Sequence, residues 1–351
     1  MKIFVLNPGS SSLKAALFED SRMLFSVTKR HDPKVLAAYK NVVDQLDFRM
    51  GVIDEIIAEN NIDFSEIDAI AARGGFCKPV SGGTFTINDR LLEDLNHASF
   101  GEHAANLSPM CAEILSRRYG IPAFFTDPVS VDEFMPESYV TGVPGVRRIS
   151  KFHALNHRAA AHMACEKLGK PYSEANLVVA HMGGGITIGA HKKGRVVDAT
   201  NPSEEGPMCI DRPGTMPNLR LIEYIFDNGL SREEATRRLS VSSGFMAYMG
   251  LTDLIEIERA AETDAQAALL LDTMCYRTAY YICALSAAFG EKTDAVVLTG
   301  GMAKSDWVVP KITERVRHIA PVFVFPGEKE MEALAAGAER VLLGKEEVQE
   351  Y

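Results

Sequence analysis

No Cys-x-x-Cys pair occurs in this chain. Its six cysteines, Cys77, Cys111, Cys165, Cys209, Cys275 and Cys283, are scattered without the spacing of a zinc site, which predicts reduced thiols that pack rather than a disulfide or metal framework. Positive charge is also scarce. Against 47 acidic residues stand 37 Lys and Arg, a formal net charge of −10, and this argues against nucleic acid as a general partner, because such binding usually draws on a basic face. Apolar runs stop well short of the ~20 residues a membrane helix requires, so no membrane partner is expected. The sequence starts with Met1-Lys2 and then the strand-like Ile3-Phe4-Val5-Leu6, with no charged n-region or cleavage site, so a soluble, cytoplasmic protein is expected. Two phosphate-binding signatures are missing as well, the Gly-x-x-x-x-Gly-Lys-Ser/Thr loop and Gly-x-Gly-x-x-Gly before a helix.

What is present is a glycine hairpin, twice. Ile3 to Leu6 runs into Asn7-Pro8-Gly9-Ser10-Ser11-Ser12, and Leu177-Val178-Val179-Ala180 runs into His181-Met182-Gly183-Gly184-Gly185. With Gly9 laid on Gly183, the next strands, Leu13 to Phe18 and Ile186 to His191, fall into step, each followed by a polar turn and a third strand. Glycine permits close approach and positive φ. Consecutive N–H groups with serine hydroxyls can surround phosphate oxygens, so the repeat predicts two related half-molecules facing a phosphate-bearing ligand.

Along the 351 residues, enough for about two domains at ~100–200 residues each, strands alternate with helices, and the fold class is α/β. A helix is expected near Pro33 to Asn60, a strand at Asp68 to Ala72 delivering Arg73-Gly74-Gly75, helices at Asp89 to Asn96 and Ala104 to Tyr119, and a strand Ala123 to Thr126 ending at Asp127. Polar residues at strand ends are where open α/β sheets bind ligands, which makes Arg73 and Asp127 candidates by position. Phe152 to Leu168 reads as a helix with His153 and His157 four apart. Without a Glu in a His-Glu-x-x-His arrangement, that pair reads as structural or substrate-facing rather than metal-binding. Helices are expected over Leu219 to Asn228, Ser231 to Leu239 and Asp264 to Phe289. A buried strand, Ala295 to Leu298, opens into Thr299-Gly300-Gly301, and an alanine-rich helix from about Met331 to Leu343 is expected to pack back on the first half.

Six motifs occur in order: Asn7-Pro8-Gly9-Ser10-Ser11-Ser12-Leu13-Lys14, Ala72-Arg73-Gly74-Gly75, Gly101-Glu102-His103-Ala104-Ala105-Asn106-Leu107, His181-Met182-Gly183-Gly184-Gly185, Glu205-Gly206-Pro207 and Leu298-Thr299-Gly300-Gly301. Together they resemble the butyrate kinases of the acetate kinase family of acyl-phosphate-forming enzymes, over nearly the whole chain. The resemblance implies a duplicated ribonuclease H-like fold of the actin, Hsp70 and sugar kinase superfamily, with two lobes around a central cleft. Residues 1–150, completed by 331–351, would form an acid-side lobe, and residues 151–330 a nucleotide-side lobe. It implies an ATP-dependent carboxylate kinase, butyrate + ATP = butyryl phosphate + ADP, with ATP/ADP and Mg2+ as cofactors, a short-chain carboxylic acid as partner, and a homo-oligomer.

Carried over residue by residue, the resemblance puts the catalytic arginines at Arg73, on the acid's carboxylate, and Arg212, on the transferring phosphoryl. Guanidinium offers a planar fork suited to both groups. His153 matches the transition-state histidine, and His103 a histidine at the acid. Ser10, Ser12, Lys14, His181, Gly183, Gly184, Gly185, Gly300 and Gly301 fall at the nucleotide. Asp127, Glu330 and Asn7 fall at the metal, with Glu328 as the other register for the glutamate. One departure stands out: where relatives carry Arg-Ser-Gly, this chain has Arg212-Pro213-Gly214, and proline removes a donor.

A simple carboxyl has a pKa near ~4, so the acceptor is already ionised and needs no general base. The difficulty is repulsion between two anions, which fixed cations must overcome. The alternatives are the same reaction on acetate, propionate or a branched acid, a superfamily phosphohydrolase, and a catalytically silent nucleotide sensor.

Overall fold

The computed structural model describes all 351 residues, Met1–Tyr351. The chain divides into two compact units, one of Met1–Asp132 with Lys329–Tyr351, the other Glu133–Glu328. No helix is long and apolar enough to cross a membrane.

In the first unit, strands β1 (Lys2–Pro8), β2 (Ser12–Glu19), β3 (Arg22–Arg30), β4 (Ala69–Arg73), β5 (Thr84–Thr86) and β6 (Ala123–Thr126) form one sheet. Their order is β3-β2-β1-β4-β6-β5, antiparallel through β1, β2 and β3 and parallel through β1, β4 and β6. Phe4, Val5 and Leu6 are all fully buried: β1 lies inside the sheet and is covered on both faces, which is why its sequence is continuously apolar. Edge strand β3 alternates exposed and half-buried residues instead.

Between Pro33 and Asn60 the expected single helix is broken. A turn of helix at Pro33–Leu36 is separated from the helix Leu46–Glu59. The break lies ahead of a 3-10 turn, Val43–Gln45, that leads straight into the second helix, and there Asp44 accepts hydrogen bonds from both the backbone N–H and the side chain of Asn41, a local alternative to the helical ladder. In Leu46–Glu59 the buried residues are Arg49, Met50, Ile53 and Ile56, one helix face turned to the sheet. Burying each isoleucine contributes about 1.5–3 kcal/mol.

The last helix, Glu330–Leu342, lies against β1, β4 and β6. It presents Ala333, Ala335, Gly337 and Ala338 to the core. A Cβ at Gly337 would come within 2.3 Å of Thr126 Oγ1, so only glycine lets this helix sit so close to β6.

The second unit repeats the plan. Strands β7 (Asn176–Met182), β8 (Ile186–Lys192), β9 (Arg195–Ala199), β10 (Ala295–Gly300) and β11 (Val322–Pro326) are ordered β11-β10-β7-β8-β9. Read from the other edge, this is the first sheet without its final strand. Pro8 pairs with Leu13 in one hairpin and Met182 with Ile186 in the other. Even the irregularities correspond: the register shifts between Leu17 and Phe18 and between Ala190 and His191, the same distance from the two hairpins. The helix Ala154–Leu168 packs Ala160, Ala161 and Ala164 over β7 and β10, as the last helix does in the first unit.

Candidate active site

Asn7 is the next-to-last residue of β1 and Arg73 ends the neighbouring parallel strand β4, each one step beyond the Leu6–Ala72 pair. The register therefore sets the two side chains side by side. Asn7 Nδ2 donates to Glu330 Oε2 at 2.8 Å, and Arg73 Nη1 reaches both Asn7 Oδ1 and Glu330 Oε2 at 3.4 Å. Arg73 Nη2 lies 3.4 Å from Glu330 Oε1. These guanidinium contacts are long for charge-assisted hydrogen bonds, so the fork is steered without being tightly engaged. Behind it, the Arg73 N–H donates to Ser108 Oγ, which donates to Leu6 O, each at 3.0 Å.

Both glycines after Arg73 are required by space. A Cβ at Gly74 would lie 2.5 Å from Pro128 Cβ, and one at Gly75 2.7 Å from Asn106 Cα. Asn106 ties this loop to the next motif, accepting from Phe76 N at 2.8 Å and donating to Gly101 O at 2.9 Å. His103 stacks on Phe76 at 5.3 Å between centroids, and its Nδ1 accepts from Ala105 N at 3.1 Å. Asp127 follows β6 at φ +42°, uncommon for a non-glycine residue. Its Oδ1 accepts from Gly83 N at 2.8 Å and its N–H donates to Gly83 O at 3.0 Å.

The first hairpin rests on a residue that the sequence motifs did not single out. Arg49, fully buried, donates through Nη1 to Gly9 O and Ser12 O at 3.1 Å and through Nη2 to Ser10 O at 3.5 Å, with Gln45 Oε1 2.9 Å from Nη2. Its partners are carbonyls and an amide oxygen rather than a carboxylate, and burial lowers its pKa. Three carbonyls that would repel a phosphate are thus turned inward. A buried cation lacking a counter-ion is costly, and an anion on the loop would offset that cost. Lys14 stands directly opposite Asn7 across the β1–β2 pair. The signal was legible: Arg49, Ile53 and Ile56 share the spacing of one buried helix stripe.

In the second unit His153 and His157 both turn to Thr187, whose Oγ1 is 2.9 Å from His153 Nδ1 and 2.8 Å from His157 Nε2. They are joined through a hydroxyl, not arranged as a metal pair. His181 stacks on His153 at 4.0 Å and 19°, and its Nδ1 is 2.6 Å from Asn156 Nδ2. Burial, then the neighbouring His153 and His157, hold the His181 pKa well below the usual value. Gly183 N donates to Gly185 O at 3.0 Å. Gly300, at φ +90°, has no room for a Cβ, which would fall 2.5 Å from Met182 O. Gly183, Gly184, Gly301, Lys304, Ser305 and Glu328 line a pocket of about 450 Å³ with Ile210 and Leu254.

Arg212 pairs with its neighbour Asp211 at 2.7 Å rather than with any other candidate. The contact is close but poorly aligned, and Nη1 is buried without a hydrogen bond. Its loop is pinned by the start of the helix Gly244–Met249: Ser243 N donates to Asp211 O, Phe245 N to Cys209 O and Met246 N to Ile210 O. The two candidate glutamates part company. Glu330 joins Asn7 and Arg73, whereas Glu328 Oε1 lies 3.9 Å from His181 Nε2.

No group of three or more His, Cys, Asp or Glu side chains is placed to hold a metal. Magnesium bridging nucleotide phosphates does not require such a cage, because it is bound through one or two carboxylates, water and the phosphates themselves. Asn7 Oδ1 and the Glu330 carboxylate are hard oxygen donors of that kind.

A sequence profile of the Acetokinase family matches residues 130–346. That span covers the second unit and the whole of the last helix, and leaves Asn7, Arg73, His103 and Asp127 outside it. Among solved structures the chain is similar to an acetate kinase from Porphyromonas gingivalis, at 22% identity and TM-score 0.79 over 97% of this chain and 99% of that one. It is also similar to a propionate kinase from Francisella tularensis subsp. tularensis SCHU S4, at 21% and 0.73 over 96% and 98%. More distantly it matches a ROK hexokinase from Thermus thermophilus, at 16% and 0.51 over 99% and 100%. These likenesses show the fold, the duplicated α/β architecture of the sugar kinase class.

Proposed function

The chain belongs to the acetokinase family, and on that premise we propose that it is a reversible ATP-dependent kinase of a short-chain carboxylic acid, with butyrate as the preferred acceptor and acetate, propionate or a branched acid as the alternatives. The observation that carries this reading is the Asn7–Arg73–Glu330 group, a loosely held guanidinium at the end of two adjacent strands.

In this reading a carboxylate oxygen of the acid attacks the γ-phosphorus in line. The new O–P bond forms as the bond to the β-phosphate oxygen breaks, and ADP leaves with the electron pair. No proton is removed, because the acid is ionised at neutral pH. Arg73, with His103, orients the carboxylate. Arg212 meets the developing charge on the phosphoryl oxygens, the role a guanidinium fork performs in phosphoryl transfer. His153 donates a hydrogen bond to the same group. Ser10, Ser12 and Lys14 in the first unit, and His181 with Gly183, Gly184 and Gly185 in the second, hold the nucleotide's phosphates. The 450 Å³ pocket beside Gly300 and Gly301 receives the nucleoside. Asn7 and Glu330, with Asp127, would hold magnesium, whose charge neutralises the β- and γ-phosphates. The reading requires Arg73 and Arg212 to serve one pair of ligands, and so assigns the acid to the first unit and the nucleoside to the second.

The test is trapping of acyl phosphate with hydroxylamine for acids of two to five carbons, with ATP and magnesium. Hydroxamate should form and peak at the four-carbon acid. A peak at another length moves the substrate, not the reaction. Phosphate release without hydroxamate would make the protein a hydrolase, and nucleotide binding without turnover would make it a sensor.

A further inference from the structure

Four of the nine histidines lie together in the second unit. A continuous chain of contacts runs through three of them: Tyr172 Oη to His191 Nδ1 at 2.8 Å, His191 Nε2 to His157 Nδ1 at 3.3 Å, His157 Nε2 to Thr187 Oγ1 at 2.8 Å, and Thr187 Oγ1 to His153 Nδ1 at 2.9 Å. His157, His191 and Thr187 are fully buried and Tyr172 nearly so. Burial first, with help from Arg158 and His162, pushes the His191 pKa down to about 3, and burial with the neighbouring histidines depresses that of His157. His191 and His157 are therefore neutral rings.

A neutral imidazole has one N–H and one lone pair. Where two such rings share a hydrogen bond, fixing one tautomer fixes the other, so the chain has two consistent proton arrangements, one running each way. The terminal pair selects between them. An imidazole nitrogen is a better base than a phenol oxygen, and a phenol, at a pKa of about 10, is the better acid, so Tyr172 donates to His191. The direction then propagates: His191 Nε2–H donates to His157 Nδ1, His157 Nε2–H to Thr187, and the Thr187 hydroxyl to His153 Nδ1. The ring proton of His153 is left on Nε2.

An independent set of contacts fixes the ring stacked upon it in the same way. Thr299 Oγ1 donates to Gly327 O at 3.3 Å and so must accept from Asn156 Nδ2, also at 3.3 Å. The amide NH2 of Asn156 therefore faces His181 too, whose Nδ1 accepts, and the His181 proton is also on Nε2. Two neutral donors result, stacked at the second glycine hairpin.

We propose that Tyr172, His191, His157 and Thr187 are positioning residues that hold His153 as the neutral Nε2–H tautomer, so that it hydrogen-bonds the transferring phosphoryl group without delivering a proton to it. This rests on the phosphoryl-transfer reading above. A neutral donor stabilises charge in transit and is not titrated by the anions it meets, and no bond to hydrogen breaks in the step.

The experiment combines the tautomer with the rate. Full-length protein labelled with 15N-histidine, without substrate, is read by long-range 1H–15N correlation. His153, His157 and His191 should all show Nε2–H in the wild type, and Tyr172→Phe should turn His153 into a mixture of tautomers. In the hydroxamate assay Thr187→Val should lower kcat about tenfold or more, as loss of a transition-state donor does, with KM for ATP and acid within about twofold. Thr187→Ser should recover most of that loss. An Nδ1–H tautomer at His153 in the wild type overturns the proposal. So does a kcat untouched by Thr187→Val, or a Thr187→Ser variant as impaired as Thr187→Val, which would make the residue a packing element. The tautomer arm needs no turnover, so a protein with the expected tautomers that makes no acyl phosphate overturns the kinase reading alone.

Discussion

The two glycine hairpins have the same topology and opposite support. Under the first lies a charge: Arg49 holds the carbonyls of Gly9, Ser10 and Ser12, and Lys14 stands opposite Asn7. Beside the second lie two stacked imidazoles, His153 and His181, the latter kept uncharged by burial. The loops differ to match. Four residues separate Pro8 from its partner Leu13, and three glycines separate Met182 from Ile186. A repeated backbone thus supplies two different anion environments. In one the loop's carbonyls are held by a cation beneath it, and in the other a run of three glycines lies beside stacked imidazoles.

The strongest way to break this comparison is to remove the arginine of each unit that the proposed function places at the ligands. Arg212→Ala should lower turnover by about a hundredfold to a thousandfold, the range for losing a preorganised transition-state donor, with ADP affinity within a few fold by calorimetry. Arg73→Ala should raise KM for the acid more than KM for ATP. Equal losses of turnover and ADP affinity in Arg212→Ala would reduce that arginine to a structural part.

Next comes the charge beneath the first hairpin. Arg49→Met leaves buried carbonyls without donors, at about 1–3 kcal/mol each. Urea denaturation should show a lower midpoint, and the stabilisation by added ATP should shrink. A variant whose ATP stabilisation matches the wild type would mean that Arg49 supports the loop without acting on its ligand.

Acid should separate the two units. His157, His181 and His191 in the second have folded pKa values depressed by burial, against His31 alone in the first. A depressed histidine stabilises the fold fully above its unfolded pKa of about 6.5, and that contribution is lost as pH falls toward the folded value, which for His191 is about 3. Hydrogen exchange, corrected for intrinsic rates, should show β7 and β8 losing protection between pH 6.5 and pH 4.5 before β1 and β2 do. Equal loss in both sheets would refute the difference.

The smallest effect concerns two equivalent glycines. A Cβ at Gly9 would meet nothing closer than Ser12 O at 3.6 Å, whereas one at Gly183 would lie 3.1 Å from His181 Nε2. Gly9→Ala should change stability by no more than about 0.5 kcal/mol. Gly183→Ala should push on the ring and weaken ATP binding several-fold, measured as a change in KM.

Much of this was legible in the residues. The hairpin repeat was read from Gly9 and Gly183, and the two sheets follow it down to a shared register shift. Arg73 and Asp127 stood out as polar residues ending apolar strands. Thr187 and Asn156 did not, because each is an ordinary residue in a regular element, and only the packing of the helix Ala154–Leu168 on the sheet brings Asn156 to His181 of β7 and Thr187 of β8 to His153. The helix expected across Pro33 to Asn60 is broken between Leu36 and Val43, where the Asp44 side chain holds Asn41 out of the ladder.

Strand identity, the duplication and the glycine positions follow from local chemistry: apolar runs, alternation and steric freedom act over a few residues and are written in order along the chain. The partners of Arg49, the separation of Glu328 from Glu330 and the proton arrangement of the histidine chain depend on groups as much as 323 residues apart, as Asn7 and Glu330 are. Those were decided by the tertiary structure, because a hydrogen bond, a desolvation cost or a tautomer has no value until the fold has chosen what stands beside it.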